Sequence, residues 1–431
     1  MKKAPKGAVK VGVGYSENHD AYQAAVNAAT DALNEAGESS FSIVYVNDKI
    51  DPAEALKGFN HVLGTNWVGI SVDKMFNHKA GYNQNLTISV TCINSEYLHF
   101  GIGVADEYRK DPLNQAKKAT AHAFKTVKAD EHIDSYVQYI RTKKHDYSKI
   151  VKTPPYFILS YLSGVKVVNG KEIPGEESEF VQGIVDYVGP HVPVFGGSAS
   201  SDLNEYMHGR ADNFQFAEGK LYRNAAIVVF AISDLYFEIH SEHGYDMTKR
   251  FALVTKLGDN GYEIQELNHH EPCKEMARLL GLSKSEYLKN FGDYMFREPF
   301  GIVKEEGRST IKEVLPHPNQ KSLQSNFKLQ ENAVLNVLKF NERKTLHTMD
   351  NIFKKTSKNH DIALGLFCVC SGRRPLIKNI ETKEVYRLQK HKLPFFGFFS
   401  FGEIGSTEST PAESHSQTVT ALIINNTLLT E

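Results

Sequence analysis

The chain reads as an α/β protein of three related modules, each a mixed sheet covered by helices, with an inserted hairpin and helical subdomain. Three observations lead there. Short apolar runs alternate with amphipathic stretches through most of the 431 residues, the pattern of strands and helices packed in layers. The order strand, helix, strand, helix, strand, polar excursion, strand recurs three times, and a recurring unit constrains the architecture more than any single element does. One region, 234–332, breaks that order.

The first module, 9–93, opens with the apolar alternation Val9 to Gly14. Asp20 is placed to cap a helix, with Gln23 in the capping-box position, and an alanine-rich stretch carries that helix to about Leu33. A strand is expected over Phe41 to Val46. Asp51-Pro52 supplies a cap and a first-turn proline for a second helix through Leu63. Trp67 to Ser71 then reads as a strand, and a polar excursion returns through Leu86 to Ile93.

The second module, 97–232, repeats this with Phe100 to Gly103, the cap Asp111-Pro112, and a helix bearing Leu113, Ala116, Ala123 and Val127 at helical spacing. A tyrosine-bearing helical stretch and the basic run Arg141 to Lys149 precede the strand Tyr156 to Leu162. A helix over Glu176 to Val188 leads into Val192 to Ser198, and Ala225 to Ile232 closes the module.

The third module is expected over 334–424. It would begin with the strand Val334 to Phe340 and continue through a helix carrying Leu346, Met349 and Phe353 to the strand Ile362 to Cys370. A helix around Val385 and Leu388, the strand Pro394 to Ser400 and a return strand Thr418 to Ile424 complete it. The inserted region starts with a hairpin, Phe251 to Lys256 and Tyr262 to Leu267, around a Gly-Asp-Asn-Gly turn. Two short helices follow, one ending at Gly281 and one opening with the box Ser283 to Glu286. Thr310 to Leu315 reads as strand and Pro316 to Gln320 as a surface loop.

Length at roughly 150 residues per domain agrees with about three units. Lys plus Arg number 50 against 51 Asp plus Glu, a net charge of -1, so no global field draws in nucleic acid or an anionic bilayer. The longest apolar runs, Ala225 to Ile232 and Ile362 to Cys370, fall far short of the roughly 20 residues of a membrane-spanning helix. The N-terminus lacks the apolar core of a secretory signal. Four irregularly spaced cysteines, Cys92, Cys273, Cys368 and Cys370, suit neither a disulfide framework nor a zinc site. A cytoplasmic location is the expectation.

Candidate chemistry concentrates at strand ends. Gly196-Gly197-Ser198 reads as a turn whose amides could approach an anion, or as close packing. Val11 to Gly14 lacks the third glycine of a dinucleotide fingerprint. Cys370-Ser371-Gly372-Arg373 ends an apolar strand with a thiol, a hydroxyl and a guanidinium suited to carboxylates. The ribbon Gly397 to Gly405 delivers Glu403 among aromatics and glycines, and His415, Ser416, Gln417 and Thr418 introduce the last strand. His240 to His243 and His269 to Glu271 lack the spacing of a metal site.

The GGSASSD run from Gly196 to Asp202, the LFCVCSGRR run ending at Arg374, and GFFSFGEIG with the later HSQT resemble the FIST family, the F-box and intracellular signal transduction domains. The resemblance implies an N-terminal FIST domain over about 10–232 and a C-terminal one over about 234–424. It implies a sensory module that binds a small molecule such as an amino acid or related carboxylate, with no cofactor, and carries Gly196, Gly197, Ser198, Cys370, Arg373, Glu403, His415, Gln417 and Thr418 over as motif positions. HSQT has Ser416 where an amide residue is expected. Family members are often joined to an output domain, and none is recognisable here, so output is expected through a separate signalling partner. Arg373 and the glycine amides would face a ligand carboxylate and Glu403 its amine. Two alternatives remain: a cysteine-dependent hydrolase or transferase using Cys370, His415 and Glu403, and an adaptor that binds proteins through the inserted subdomain.

Overall fold

A computed structural model describes residues 3–128, 155–168, 171–209, 212–259, 261–304, 309–325, 327–358, 361–407 and 410–429. The basic run Arg141 to Lys149 and the tyrosine-bearing stretch before it lie outside the described residues.

The first region comprises Lys10–Ser16 (β1), Ala21–Ala36 (α1), Phe41–Asn47 (β2), Pro52–Leu63 (α2), Trp67–Val72 (β3), the short pair Met75–Asn77 (β4) and Gly81–Tyr82 (β5), and Ile88–Asn94 (β6). The Asp20 carboxylate accepts the Gln23 N–H at 2.8 Å, and Asp51 caps α2 ahead of Pro52. The second comprises Leu98–Ala105 (β7), Pro112–Thr126 (α3), Tyr156–Leu162 (β8), Glu177–Val188 (α4), Val194–Ser198 (β9), the pair Gln215–Ala217 (β10) and Lys220–Tyr222 (β11), and Ala226–Ser233 (β12). The third begins with Leu235–His243 (β13). It resumes, after an insertion containing Pro272–Leu280 (α5) and Lys284–Arg297 (α6), with Thr348–Ser357 (α7), Ile362–Cys370 (β14), Ile380–Gln389 (α8), Phe395–Ser400 (β15), the pair Glu403–Gly405 (β16) and Glu413–His415 (β17), and Thr418–Leu428 (β18).

Three six-stranded sheets result, ordered β1-β6-β2-β3-β10-β11, β7-β12-β8-β9-β16-β17 and β13-β18-β14-β15-β4-β5. Each has one parallel pair, β2 with β3, β8 with β9, and β14 with β15. Each also ends in a short pair lent by another region: the first sheet takes β10-β11, the second β16-β17 and the third β4-β5. The exchange is cyclic, so no region completes its own sheet.

Strand alternation then sorts the side chains. Phe41, Ile43 and Tyr45 of β2, Phe157, Leu159 and Tyr161 of β8, and Leu364, Leu366 and Cys368 of β14 all enter one shared core. Tyr45 stacks on Phe396 with ring centroids 4.3 Å apart, and its hydroxyl lies 3.4 Å from that of Tyr161. The opposite faces are covered separately: by α1 and α2 through alanines and Phe59, by α3 and α4 through Ala116, Phe180 and Ile184, and by α7 and α8 through Met349, Phe353, Val385 and Leu388. Helices outside three sheets that share an apolar interior satisfy the layer rule on both faces of every sheet.

The insertion corrects one expectation. Val334 to Phe340 is not the first strand of the third module; Val334–Val337 lies between Phe251–Leu257 and Phe300–Val303 in a sheet of seven. The first-strand place belongs to β13, whose Phe237 and Ile239 join the shared core. Both segments carry apolar residues suited to a strand, and a local apolar pattern does not name the sheet a strand joins. The insertion is thus threaded between β13 and α7, and the bridge Tyr245↔Phe340 closes its neck. Its hairpin and helices form where expected, with Gly281 ending α5 at φ +74° and a complete capping box on Ser283 and Glu286.

Candidate functional site

The carboxyl ends of the parallel pairs hold most of the candidate residues. Gly196 and Gly197 do not form a turn. They are interior to β9 and paired on both edges, with β8 and with β16, so their amides belong to the sheet and are not turned toward an anion. Glycine is required by packing: a Cβ on Gly196 would overlap the Ser160 carbonyl, and one on Gly197 the Cys368 sulfur. Ser198 is likewise engaged, its hydroxyl donating to Glu177 at 2.6 Å and its N–H to the Gly402 carbonyl at 2.8 Å.

Arg373 also departs from expectation. It is 1% exposed, and its Nη2 donates to Glu384 Oε1 at 2.7 Å and to the Thr345 carbonyl at 2.9 Å. Its charge is therefore held by an equally buried glutamate of α8 and is not presented to a ligand carboxylate. The pair meets through one arm each, leaving Arg373 Nη1 and Glu384 Oε2 buried without partners. Such a pair contributes little net stability, yet breaking it costs about 3–5 kcal/mol because one charge is stranded.

Cys370, Glu403, Gln417 and Thr418 do converge. Glu403 is fully buried; its Oε1 accepts the Ser400 hydroxyl at 2.5 Å and its Oε2 the Thr418 N–H at 3.3 Å. Burial pushes its carboxyl up to about 8, and nearby Glu313 acts the same way, outweighing the hydrogen bonds from Ser400, Thr418 and Cys370. At neutral pH it is mostly a neutral acid. The Cys370 thiol is raised well above its ordinary range, by burial first and then by Glu403 and Glu313. Gln417, fully buried in the left-handed region at φ +54°, donates from Nε2 to Glu313 Oε1 at 2.9 Å, and its Oε1 accepts the Tyr245 hydroxyl at 3.3 Å. Gly372 faces this carboxamide: a Cβ there would come within 2.7 Å of Gln417 Nε2 and 3.2 Å of the Phe296 ring.

His415 stands opposite Glu403 in the β16–β17 register, but its chemistry is turned elsewhere. Nε2 lies 3.0 Å from the Gly405 carbonyl, which can only accept, so that nitrogen carries the proton. Burial pushes the imidazole down to about 4, opposed by Glu413. Among the described residues no hydrogen bond joins His415 to Cys370 or Glu403. A protonated thiol without a base is a poor nucleophile, so the geometry gives the Cys370/His415/Glu403 triad no support.

Four neighbours carry no clear mark in the sequence motifs. Tyr245 and Glu313 come from the insertion and are far from Cys370 in the chain. Ser400 reads from sequence only as the end of the strand Pro394 to Ser400. Glu384 has a signal, since it falls on the face of α8 that also carries Ile380 and Leu388, where a carboxylate calls for a buried partner.

Comparison with known proteins places the chain. The FIST N domain model matches residues 40–270 and the FIST C domain model residues 273–406. No curated protein matches. Among solved structures, a cyanuric acid hydrolase from A. caulinodans is 9% identical, with 53% of this chain and 72% of that chain covered at a TM-score of 0.27. T. maritima PurL complexed with ATP is also 9% identical, with 76% and 71% covered at a TM-score of 0.21. Similarity that low carries no argument about fold or chemistry. The two domain models together span most of the chain and meet inside the insertion: this protein belongs to the FIST family.

Proposed function

We propose that this protein is a small-molecule sensor, that its ligand carries an amino group as amino acids do, and that the ligand is recognised around Glu403 and Cys370. The observation that carries this reading is an uncompensated pair of carboxyl groups. Glu403 and Glu313 lie together beside Cys370 and Gln417, and among the described residues neither has an ion-pair partner, while the Arg373 guanidinium is held by Glu384. An ammonium group there would ionise Glu403 and accept two carboxylates as partners. Gln417 and the Thr418 N–H would orient it, and the buried, unpartnered Ser371 hydroxyl is available to a second polar group of the ligand. Gly196, Gly197 and Ser198 support the site from beneath, through the Gly197 contact with Cys368. His415 and Arg373 act as structural neighbours.

The same reading takes the two FIST domains as 10–232 and 234–424, treats the three sheets as copies of one module, and places the protein in the cytoplasm, a location supported by four unpaired cysteines. Scanning fluorimetry against the twenty amino acids and small primary amines tests it. Stabilisation should grow logarithmically with concentration above the dissociation constant, and Glu403→Gln should abolish it. No shift with any candidate at millimolar concentration refutes the reading.

Output through a separate partner has its own support. Met247, Phe251 and Val334 of the insertion are 40%, 45% and 44% exposed, and Phe251 and Val334 lie on adjacent paired strands. Exposed large apolar groups on neighbouring strands suit a protein contact. A partner captured equally by wild type and Glu403→Gln, but lost with Phe251→Glu/Val334→Glu, is the expected result; equal capture by all three proteins opposes an adaptor role for this face.

A further inference from the structure

A second polar cluster lies where the carboxyl ends of all three parallel pairs meet. Asp48 follows β2 and Asp73 follows β3, so both leave the same end of the first sheet. The two turns are tied together: the Asp48 N–H donates to the Val72 carbonyl at 3.1 Å, and Asn47 Nδ2 to the Asp73 carbonyl at 2.8 Å. The second region adds Ser200, whose hydroxyl accepts the Asp73 N–H at 3.0 Å and donates to the Phe399 carbonyl at 2.6 Å. It also adds Asp202, whose N–H donates to Asp48 Oδ2 at 2.9 Å and whose carboxylate holds Lys49 at 2.8 Å. The third region adds Arg374, which bonds Asp73 Oδ2 at 2.5 Å and Glu381 at 2.8 Å.

Two oxygens are left over. Asp48 Oδ1 and Asp73 Oδ1 are both buried and accept no hydrogen bond. Asp73 is 3% exposed, and its Oδ1 lies 3.6 Å from Lys74 Nζ, beyond hydrogen-bond distance. A buried acceptor left without a donor costs on the order of 1–3 kcal/mol, more when charged. The two carboxyl groups also feel each other: Asp48 is pushed up to about 6, by burial first and with Asp73 acting in the same direction.

We propose that this junction is a binding site, distinct from that around Glu403, which takes a small primary ammonium group between Asp48 Oδ1 and Asp73 Oδ1. The charges set the class of ligand. Asp48, Asp73, Asp202 and Glu381 face Lys49, Lys74 and Arg374, one negative charge in excess, which a single monovalent cation balances. Three adjoining side-chain cations oppose a divalent ion, and among the described residues no group of three or more His, Cys, Asp or Glu is arranged to hold a metal. An ammonium ion supplies directional N–H donors to two acceptors that have none. Asp48 is half-buried and Lys49 exposed, so the cluster opens to solvent on the β2 side. Placement at the carboxyl ends of adjacent parallel strands is where α/β sheets admit ligands.

Methylammonium chloride is the probe, compared with tetramethylammonium, potassium and magnesium chlorides at matched ionic strength. The background is Glu403→Gln, which removes the amine partner of the first site, so the two proposals fail separately. Methylammonium should raise the thermal midpoint of this variant, and tetramethylammonium, with the same charge but no N–H, should not. Adding Asp48→Asn should weaken methylammonium binding at least tenfold. If that double variant does not fold, carbon-13 NMR of the aspartate carboxyls in Glu403→Gln decides the matter: the Asp48 titration must move to lower pH in methylammonium and stay in place in tetramethylammonium. Equal effects of the two amines, a larger effect of magnesium, no effect of methylammonium, or an unaltered response in the double variant each overturn the proposal.

Discussion

Replacing Glu403 with Gln should stabilise the protein, by an amount set by pH. The folded carboxyl titrates near 8 against an ordinary 4.5, so the folded state holds this proton more tightly than the unfolded state. The group's contribution to stability is therefore greatest below pH 4.5 and is lost as pH rises toward 8. At 1.36 kcal/mol per pH unit, the raised value costs the fold about 3 kcal/mol at pH 7, where the folded acid keeps its proton, and about 5 kcal/mol above pH 8, where the buried group ionises. Glutamine is the neutral isostere. Its carbonyl can accept the Thr418 N–H and its amide can donate to the Ser400 hydroxyl, replacing the bonds Glu403 makes with those two residues. The variant should match wild type near pH 4.5, exceed it by about 3 kcal/mol at pH 7, and by more at pH 8.5. Urea unfolding with linear extrapolation at pH 5, 7 and 8.5 measures this. Taking the difference between the two proteins removes other titrations, notably His415, whose lowered value near 4 works in the opposite sense below pH 6.5. A difference independent of pH, or one that shrinks as pH rises, would refute the buried neutral acid.

Gly197→Ala should destabilise by about 1–3 kcal/mol through overpacking against the Cys368 sulfur, and Cys368→Ala in the same protein should recover much of that loss in thermal denaturation. Arg373→Met should cost about 3–5 kcal/mol by stranding Glu384, whereas Arg373→Met with Glu384→Leu should return close to wild type; a double variant as unstable as the single one would mean that the guanidinium has a further partner. Cys370 is 7% exposed with a raised thiol, so native protein should react with iodoacetamide far more slowly than a free thiol at pH 7.5; reaction at the free-thiol rate would restore the case for a nucleophile.

Much of the local structure is legible because its signals are local. Asp20, Asp51-Pro52, Gly281 and the Ser283–Glu286 box mark helix ends through bonds spanning four residues or fewer. The site is legible in part. Cys370, Glu403, Gln417 and Thr418 stand at strand ends and do come together. The roles expected of Gly196, Gly197 and Arg373 fail for one reason: a glycine or a cation in a sequence shows what a residue can do, and packing decides which partner it meets. Gly197 meets a sulfur from another sheet, and Arg373 meets a carboxylate 11 residues onward. Val334 to Val337 falls in a different sheet from the one expected because a short apolar run identifies a strand without naming its sheet.

By itself, the sequence determined the α/β class, the existence of an insertion and at least one end of most of the helices described, all consequences of periodicity, capping and turn chemistry acting over short spans. The tertiary structure alone decided that each sheet borrows its last two strands from another region, that β13 begins the third unit, and that Glu313 and Tyr245 of the insertion meet Gln417. It also decided the protonation of Glu403 and the partner of Arg373. These rest on contacts between residues far apart in the chain and on the removal of water around them, and neither is encoded in the spacing of neighbours.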